Sequence, residues 1–78
     1  MTEPKLEFER NENVAIAENA PAKFRPSQIA WVISGRVVEN ELQSQAVSYP
    51  VGTMLYLVEY MDGSDVEIPG EFIRHREG

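Results

Sequence analysis

The clearest pattern of apolar and polar residues lies between Leu55 and Ile68, where the two kinds alternate. Successive side chains of a strand point to opposite faces of a sheet, so this alternation predicts two short strands. The Asp62-Gly63 pair between them is typical of a hairpin turn. We expect one face of this hairpin to lie in the core, and that face carries Tyr56, Val58, Tyr60, Val66 and Ile68.

Weaker β patterns precede the hairpin. A short strand is predicted at residues 14–16 and a longer one at residues 29–39, with a bulge or bend at Gly35, because a glycine inside a strand often marks one. Residues 18–28 contain two prolines and predict an ordered loop whose Phe24 packs back onto the core. Residues 39–52 predict a long hairpin loop, with a strand extension at residues 46–49 as the alternative.

The two ends of the chain complete the outline. Pro69 lacks an amide hydrogen and is expected to end strand pairing, after which residues 71–73 predict a helical turn and residues 74–77 a short strand or tail. Residues 1–7 are polar and predict a flexible lead-in to a single domain at residues 8–78. A chain of 78 residues fits one domain with a thin core.

Composition narrows the classes of function. Thirteen acidic residues against seven basic ones give a net charge of −6, which disfavours non-specific binding to nucleic acid or to anionic membranes. The same charge suits a protein partner with a basic surface. No cysteine is present, which excludes disulfides and thiolate metal sites and fits a cytoplasmic location. No apolar run approaches the roughly 18 residues of a membrane span, and no signal peptide is recognised.

The order of these patterns resembles the SH3-like small β-barrel over residues 8–76. The matching pieces are Phe8 with Val14-Ala15-Ile16, then Gly35-Arg36-Val37-Val38, Tyr56-Leu57-Val58-Glu59-Tyr60 with Asp62-Gly63, and Ile68-Pro69-Gly70-Glu71-Phe72-Ile73. The resemblance implies an all-β, five-stranded barrel with a short helical turn between Pro69 and Ile73. KOW and Tudor domains, small accessory subunits of redox and photosynthetic complexes, and bacterial toxin-immunity proteins share such patterns. Asn11 stands where a glycine often sits, and asparagine tolerates the same left-handed backbone.

Catalytic and metal-binding chemistry finds little support in the sequence. The one histidine, His75, lies between two arginines, and no cluster of metal ligands is recognised around it. Residues 62–65 begin like a calcium loop but lack its repeated ligands and closing glutamate, so a hairpin turn is the better interpretation. We therefore expect no enzyme activity, no catalytic or metal-ligating residue and no cofactor.

Two further groups of side chains have a functional and a structural interpretation. Five basic residues would suit nucleic acid if they shared one face: Lys23, Arg25, Arg36, Arg74 and Arg76. The acidic hairpin would repel phosphate, so we expect nucleic acid binding less than protein binding. Trp31, Tyr49 and Tyr56 would suit a cage for methylated lysine, and packing in the core and at its rim is the interpretation we favour.

The outer face of the hairpin is the main candidate for a site. Its apolar residues Leu55, Leu57 and Met61 are either covered by residues 1–7 or 39–52, or exposed as a partner-binding stripe. The candidate partner-binding residues are Leu55, Leu57, Glu59, Met61, Asp62, Asp65 and Trp31. We thus expect a non-enzymatic protein-binding module acting as a small accessory, regulatory or inhibitory, immunity-like protein, monomeric or weakly dimeric. The alternative is a KOW- or Tudor-like module for nucleic acid or ribonucleoprotein.

Overall fold

The computed structural model describes residues 8–76 and shows a five-stranded antiparallel sheet. Its strands are β1 (Asn13–Ile16), β2 (Ile29–Val37), β3 (Met54–Tyr60), β4 (Asp65–Pro69) and β5 (Ile73–His75). They are ordered β4-β3-β2-β1-β5, so that β4 and β5 form the two edges of an open sheet. One helix, α1 (Glu41–Val47), and two 3-10 turns, Ala22–Phe24 and Gly70–Phe72, complete the described chain. An all-β fold is thereby confirmed, whereas the predicted lead-in at residues 1–7 lies outside the described residues.

The β3–β4 hairpin has the predicted strands and faces. Tyr56 pairs with Ile68 and Val58 with Val66, and these side chains contribute to or pack against the main core. The Gly63 amide donates to the Tyr60 carbonyl at 3.0 Å, which closes the turn. Gly63 has a φ of +86°, a conformation that glycine adopts at no steric cost and that ends many hairpin turns of this length.

The predicted position of the bulge in β2, Gly35, is wrong. The bulge lies at Ile33. The pairing of β2 with β3 shifts register between Val32 and Ser34, whereas Gly35 pairs normally with Tyr56. One extra residue on one strand of a pair is the definition of a β-bulge. Trp31 and Ser34 therefore point to the same outer face although they are three residues apart.

The proline-containing loop is fastened to the core, as predicted. Phe24 is buried and its ring centroid lies 6.0 Å from that of Phe72. The buried Tyr60 hydroxyl donates to the Phe24 carbonyl at 2.7 Å, so the loop is also held by a hydrogen bond from β3. Asn11 has a φ of +69°, the left-handed conformation expected for it.

Helix α1 replaces the loop or strand extension predicted within residues 39–52. The Asn40 side chain accepts from the Gln43 amide at 2.9 Å, and the Gln43 side chain accepts from the Glu39 amide at 3.0 Å. Ser48, with a φ of +64°, ends the helix. This reciprocal arrangement resembles the capping box: it satisfies the Gln43 amide, which has no partner within the helix, and the Glu39 amide just before the cap. No residue of α1 is fully buried, so the caps are a substantial part of what stabilises it.

Asn40→Ala is expected to loosen α1 without weakening the sheet. Loss of an N-cap side chain costs about 1 kcal/mol, and a helix without a fully buried residue transmits little of this to the core. Hydrogen exchange at the Ser44 amide, which bonds to the Asn40 carbonyl at 2.9 Å, should accelerate about fivefold. The Val58 amide serves as an internal reference, and its equal acceleration would contradict the prediction.

Candidate partner-binding surface

Three of the predicted site residues form a row across the outer face of the sheet. Trp31 on β2 lies opposite Glu59 on β3, and Glu59 lies opposite Asp65 on β4. Paired residues on neighbouring strands share a face, so the structure brings these three side chains together. All three are exposed, and Trp31 retains 39% of its accessible surface. We call Trp31, Glu59 and Asp65 the outer row.

The outer row places two like charges side by side. Directly opposed carboxylates on paired strands repel each other and destabilise the pair. Within residues 8–76, neither Glu59 nor Asp65 forms an ion pair. The repulsion is therefore not offset by a cation from the described chain, and a cation supplied from outside would relieve it.

The other carboxylates of the hairpin are already paired. Asp62 accepts from Arg25 at 2.8 Å, and Glu67 accepts two bonds from Arg36 at 2.6 and 2.7 Å. A two-point contact between a guanidinium and a carboxylate is the strongest geometry for such a pair. The negative charge left to attract a partner at the hairpin is thus that of the outer row.

The basic residues are dispersed through the same contacts. Arg25 and Arg36 each neutralise one carboxylate of the hairpin, and Arg74 donates to the backbone carbonyls of Glu71 and Ile73. Arg76 donates to the Asn13 side chain. These contacts divide the cations among separate acceptors, which weakens the charge argument for nucleic acid.

The apolar members of the predicted site do not form one continuous stripe. Leu55 is only 1% exposed and offers no surface to a partner. This residue is therefore covered by the chain itself. Leu57 is half-buried beside its paired neighbours Ser34 and Glu67. Met61, in the turn, is 76% exposed. The exposed large apolar side chains of the predicted set are therefore Trp31 and Met61.

Hydrogen bonds within the turn stabilise the charged form of Asp62. The Ser64 hydroxyl and backbone amide both donate to its Oδ1, at 2.6 and 3.0 Å, and Arg25 donates to its Oδ2. These contacts hold the pKa of Asp62 well below its usual range, with the Ser64 bonds as the largest cause. Arg36 lowers the pKa of Glu67 in the same way.

Ser64→Ala and Arg25→Gln are each expected to raise the pKa of Asp62, because each removes a hydrogen bond to the charged form of its carboxylate. NMR of the carboxyl carbons during an acid titration measures the pKa of Asp62 in both variants. The folded-state pKa lies below the unfolded value, so the stabilisation from Asp62 is present above about pH 4 and lost as the pH falls through the folded pKa. An unchanged titration in the Ser64 variant would show that the hydroxyl bond is not made.

His75 makes contacts that stabilise the fold. Its Nδ1 pairs with a Glu12 carboxylate oxygen, and its ring centroid lies 4.4 Å from that of Phe8. Among residues 8–76, no group of three or more histidine or acidic side chains is arranged to hold a metal ion. The histidine joins β5 to the turn before β1.

The predicted aromatic cage is divided between two places. Tyr49 and Tyr56 line one cavity of about 430 Å³, whereas Trp31 belongs to the outer row. Pro50, Met54 and Glu71 also line this cavity. Sequence reasoning missed the cavity as a site because it forms where residues 49–54 meet the turn after β4, which no local pattern indicates.

Comparison with known proteins found no match to a protein-family model, to a curated protein or to a solved structure. In the part of the chain that the structure describes, no helix has the length and apolar character needed to cross a membrane. The assignment of a function therefore depends on the geometry of the surface.

Proposed function

We propose that this chain is a non-enzymatic protein-binding module, and that it acts as a small accessory, regulatory or inhibitory protein. The observation that carries this proposal is the outer row, in which an exposed tryptophan adjoins two opposed carboxylates. Tryptophan is enriched where proteins bind each other, and unpaired like charges favour a partner of opposite charge. The partner is a protein with a basic surface.

The contact we propose has an apolar and an ionic part. A lysine or arginine of the partner lies between Glu59 and Asp65 and relieves their repulsion. The Trp31 ring packs against apolar atoms of the partner, or against the cation itself. Met61 extends the surface beyond the end of β3, where its flexible side chain adapts to the partner.

We also propose that the fold is of the SH3-like type. The antiparallel order β4-β3-β2-β1-β5 and the 3-10 turn between β4 and β5 support this assignment. Fold type alone carries no function, so the proposed activity depends on the outer row and not on the resemblance.

Affinity capture from a native lysate tests the protein-binding proposal. The bait is the full chain, compared with Trp31→Ala and with Leu42→Ala. Leu42 is a matched control because it is 79% exposed on α1, outside the outer row. We expect a protein that the wild type and the Leu42 variant retain, that the Trp31 variant loses, and that salt elutes. Equal recovery with all three baits, or nucleic acid as the retained species, would overturn the proposal.

A further inference from the structure

The 430 Å³ cavity shares no residue with the outer row and has the features of a separate binding site. Its walls come from Tyr49, Pro50, Met54, Tyr56, Pro69 and Glu71. Its volume lies within the range of ordinary ligand pockets, which are largely apolar with a few polar groups that fix orientation. Here Glu71 is the one charged residue that lines it.

The walls of this cavity are preformed. Tyr56 is almost completely buried, and the edge of its ring packs against Phe8 with centroids 5.1 Å apart and planes at 89°. A Cβ atom on Gly70 would lie 3.0 Å from the Tyr56 ring, which is tighter than most contacts of a Cβ atom, so glycine favours the close approach of the 3-10 turn to this ring. On the opposite side, the Thr53 hydroxyl donates to the Pro50 carbonyl at 2.7 Å. A ligand would meet this site without having to order it.

The charge of the cavity lining comes from one acidic residue. Glu71 is exposed, and the other residues that line the cavity are uncharged. Burial raises the pKa of the Tyr49 phenol and the charge of Glu71 raises it further, which reflects their proximity. Arg74 bonds to the backbone oxygen of Glu71, and no ion pair within residues 8–76 involves the Glu71 carboxylate.

We propose that this cavity binds the side chain of an arginine in an extended segment of another protein. The methylene groups of the arginine pack against Pro50 and Met54, its guanidinium group lies against the Tyr49 ring, and it donates to the Glu71 carboxylate. Arginine is the side chain that combines an apolar stem, a planar cation that stacks on aromatic rings and a two-point fit to carboxylates. This site goes beyond the proposed function because none of its residues belongs to the outer row.

Another cavity, of about 600 Å³, provides a contrast. Its lining includes Ala15, Ala17, Glu18 and Arg74. It contains no aromatic ring, and it contains both a carboxylate and a guanidinium group. It therefore favours neither an anion nor a cation.

NMR titration of the full chain with a capped Gly-Gly-Arg-Gly-Gly peptide tests the arginine site. We expect saturable shifts of the Thr53, Gly70 and Glu71 amides. The same peptide with citrulline in place of arginine has nearly the same shape without the charge and should bind several-fold more weakly. Glu71→Gln should weaken binding of the arginine peptide about threefold to fivefold. Glu41→Gln removes the same charge at an exposed position of α1, outside both the cavity lining and the outer row, and should leave binding unchanged.

Three results would overturn the inference. They are equal shifts with the citrulline peptide, equal weakening by Glu41→Gln and Glu71→Gln, or shifts confined to the outer row. The first would show that the guanidinium is not recognised, and the other two would show attraction to acidic surface elsewhere. Because the expected shifts and both variants lie outside the outer row, the inference and the proposed function fail or succeed separately.

Discussion

Ile68→Ala is expected to remove a large part of the stability of this domain. Ile68 is fully buried, with 0% exposure, and pairs with Tyr56 across the hairpin in the main core. Truncating a buried isoleucine costs about 2–5 kcal/mol through lost burial and the cavity left behind. A domain of this size has roughly 4–12 kcal/mol of stability in total. Thermal or urea unfolding should show a large loss, roughly 4–8 °C in melting temperature for each kcal/mol.

Two controls separate this core effect from a general effect of truncation. Ile68→Val removes one methyl group and should cost about 0.5–1.5 kcal/mol. Leu42→Ala truncates an aliphatic side chain that is exposed, and it should change stability by less than about 0.5 kcal/mol. If Ile68→Ala unfolded at the same temperature as the Leu42 variant, the packing described for β3 and β4 would be wrong.

Neutralising the outer row should separate binding from stability. The double variant Glu59→Gln with Asp65→Asn keeps the shape of both side chains and removes their charge. We expect binding to the protein recovered by affinity capture to weaken by about tenfold or more, because close charge pairs at interfaces contribute strongly. We expect the folded state to become slightly more stable, because two opposed like charges are removed. Surface plasmon resonance and urea unfolding measure the two effects.

A charge-matched control tests whether the weaker binding results from the position of the lost charges or from the change in net charge. Glu39→Gln with Glu41→Gln also removes two negative charges, at exposed positions beside α1 and outside the outer row. This variant should bind nearly as the wild type does, at an ionic strength that screens long-range attraction. Equal weakening by both double variants would assign binding to net charge, and a loss of stability in the outer-row variant would contradict the repulsion between Glu59 and Asp65.

The sequence predicted those elements whose cause is local. The β3–β4 hairpin is predictable because both of its signals, the alternation of apolar and polar residues and the Asp-Gly turn, lie in consecutive residues. Helix α1 was missed because seven residues are too few to display helical periodicity. Its one local signal was the pair of Asn40 and Gln43, three residues apart, in a stretch of good helix formers.

The position of the bulge in β2 could not be predicted from the glycine alone. Glycine in a strand permits a bulge, but the register between β2 and β3 decides where the extra residue lies. That register depends on which residues of both strands fit the core, and Ile33 is the residue left over.

The candidate site could be predicted only in part for the same reason. Trp31, Glu59 and Asp65 were recognisable as exposed or acidic candidates, but their alignment depends on strand register. The ion pairs that neutralise Asp62 and Glu67 join residues 37 and 31 positions apart, so no local pattern reveals them. The burial of Leu55, on the face opposite the main core, likewise depends on tertiary contacts.

The bulge at Ile33 also determines where this chain can change its length. Without Ile33, the remaining residues of β2 would alternate regularly, and Trp31, Val32 and Ser34 would keep their present faces. A deletion elsewhere in β2 would turn a set of side chains to the wrong face. Chains related to this one by descent could therefore lose a single residue at this position and keep both the core and the outer row, with a sheet that is less bent.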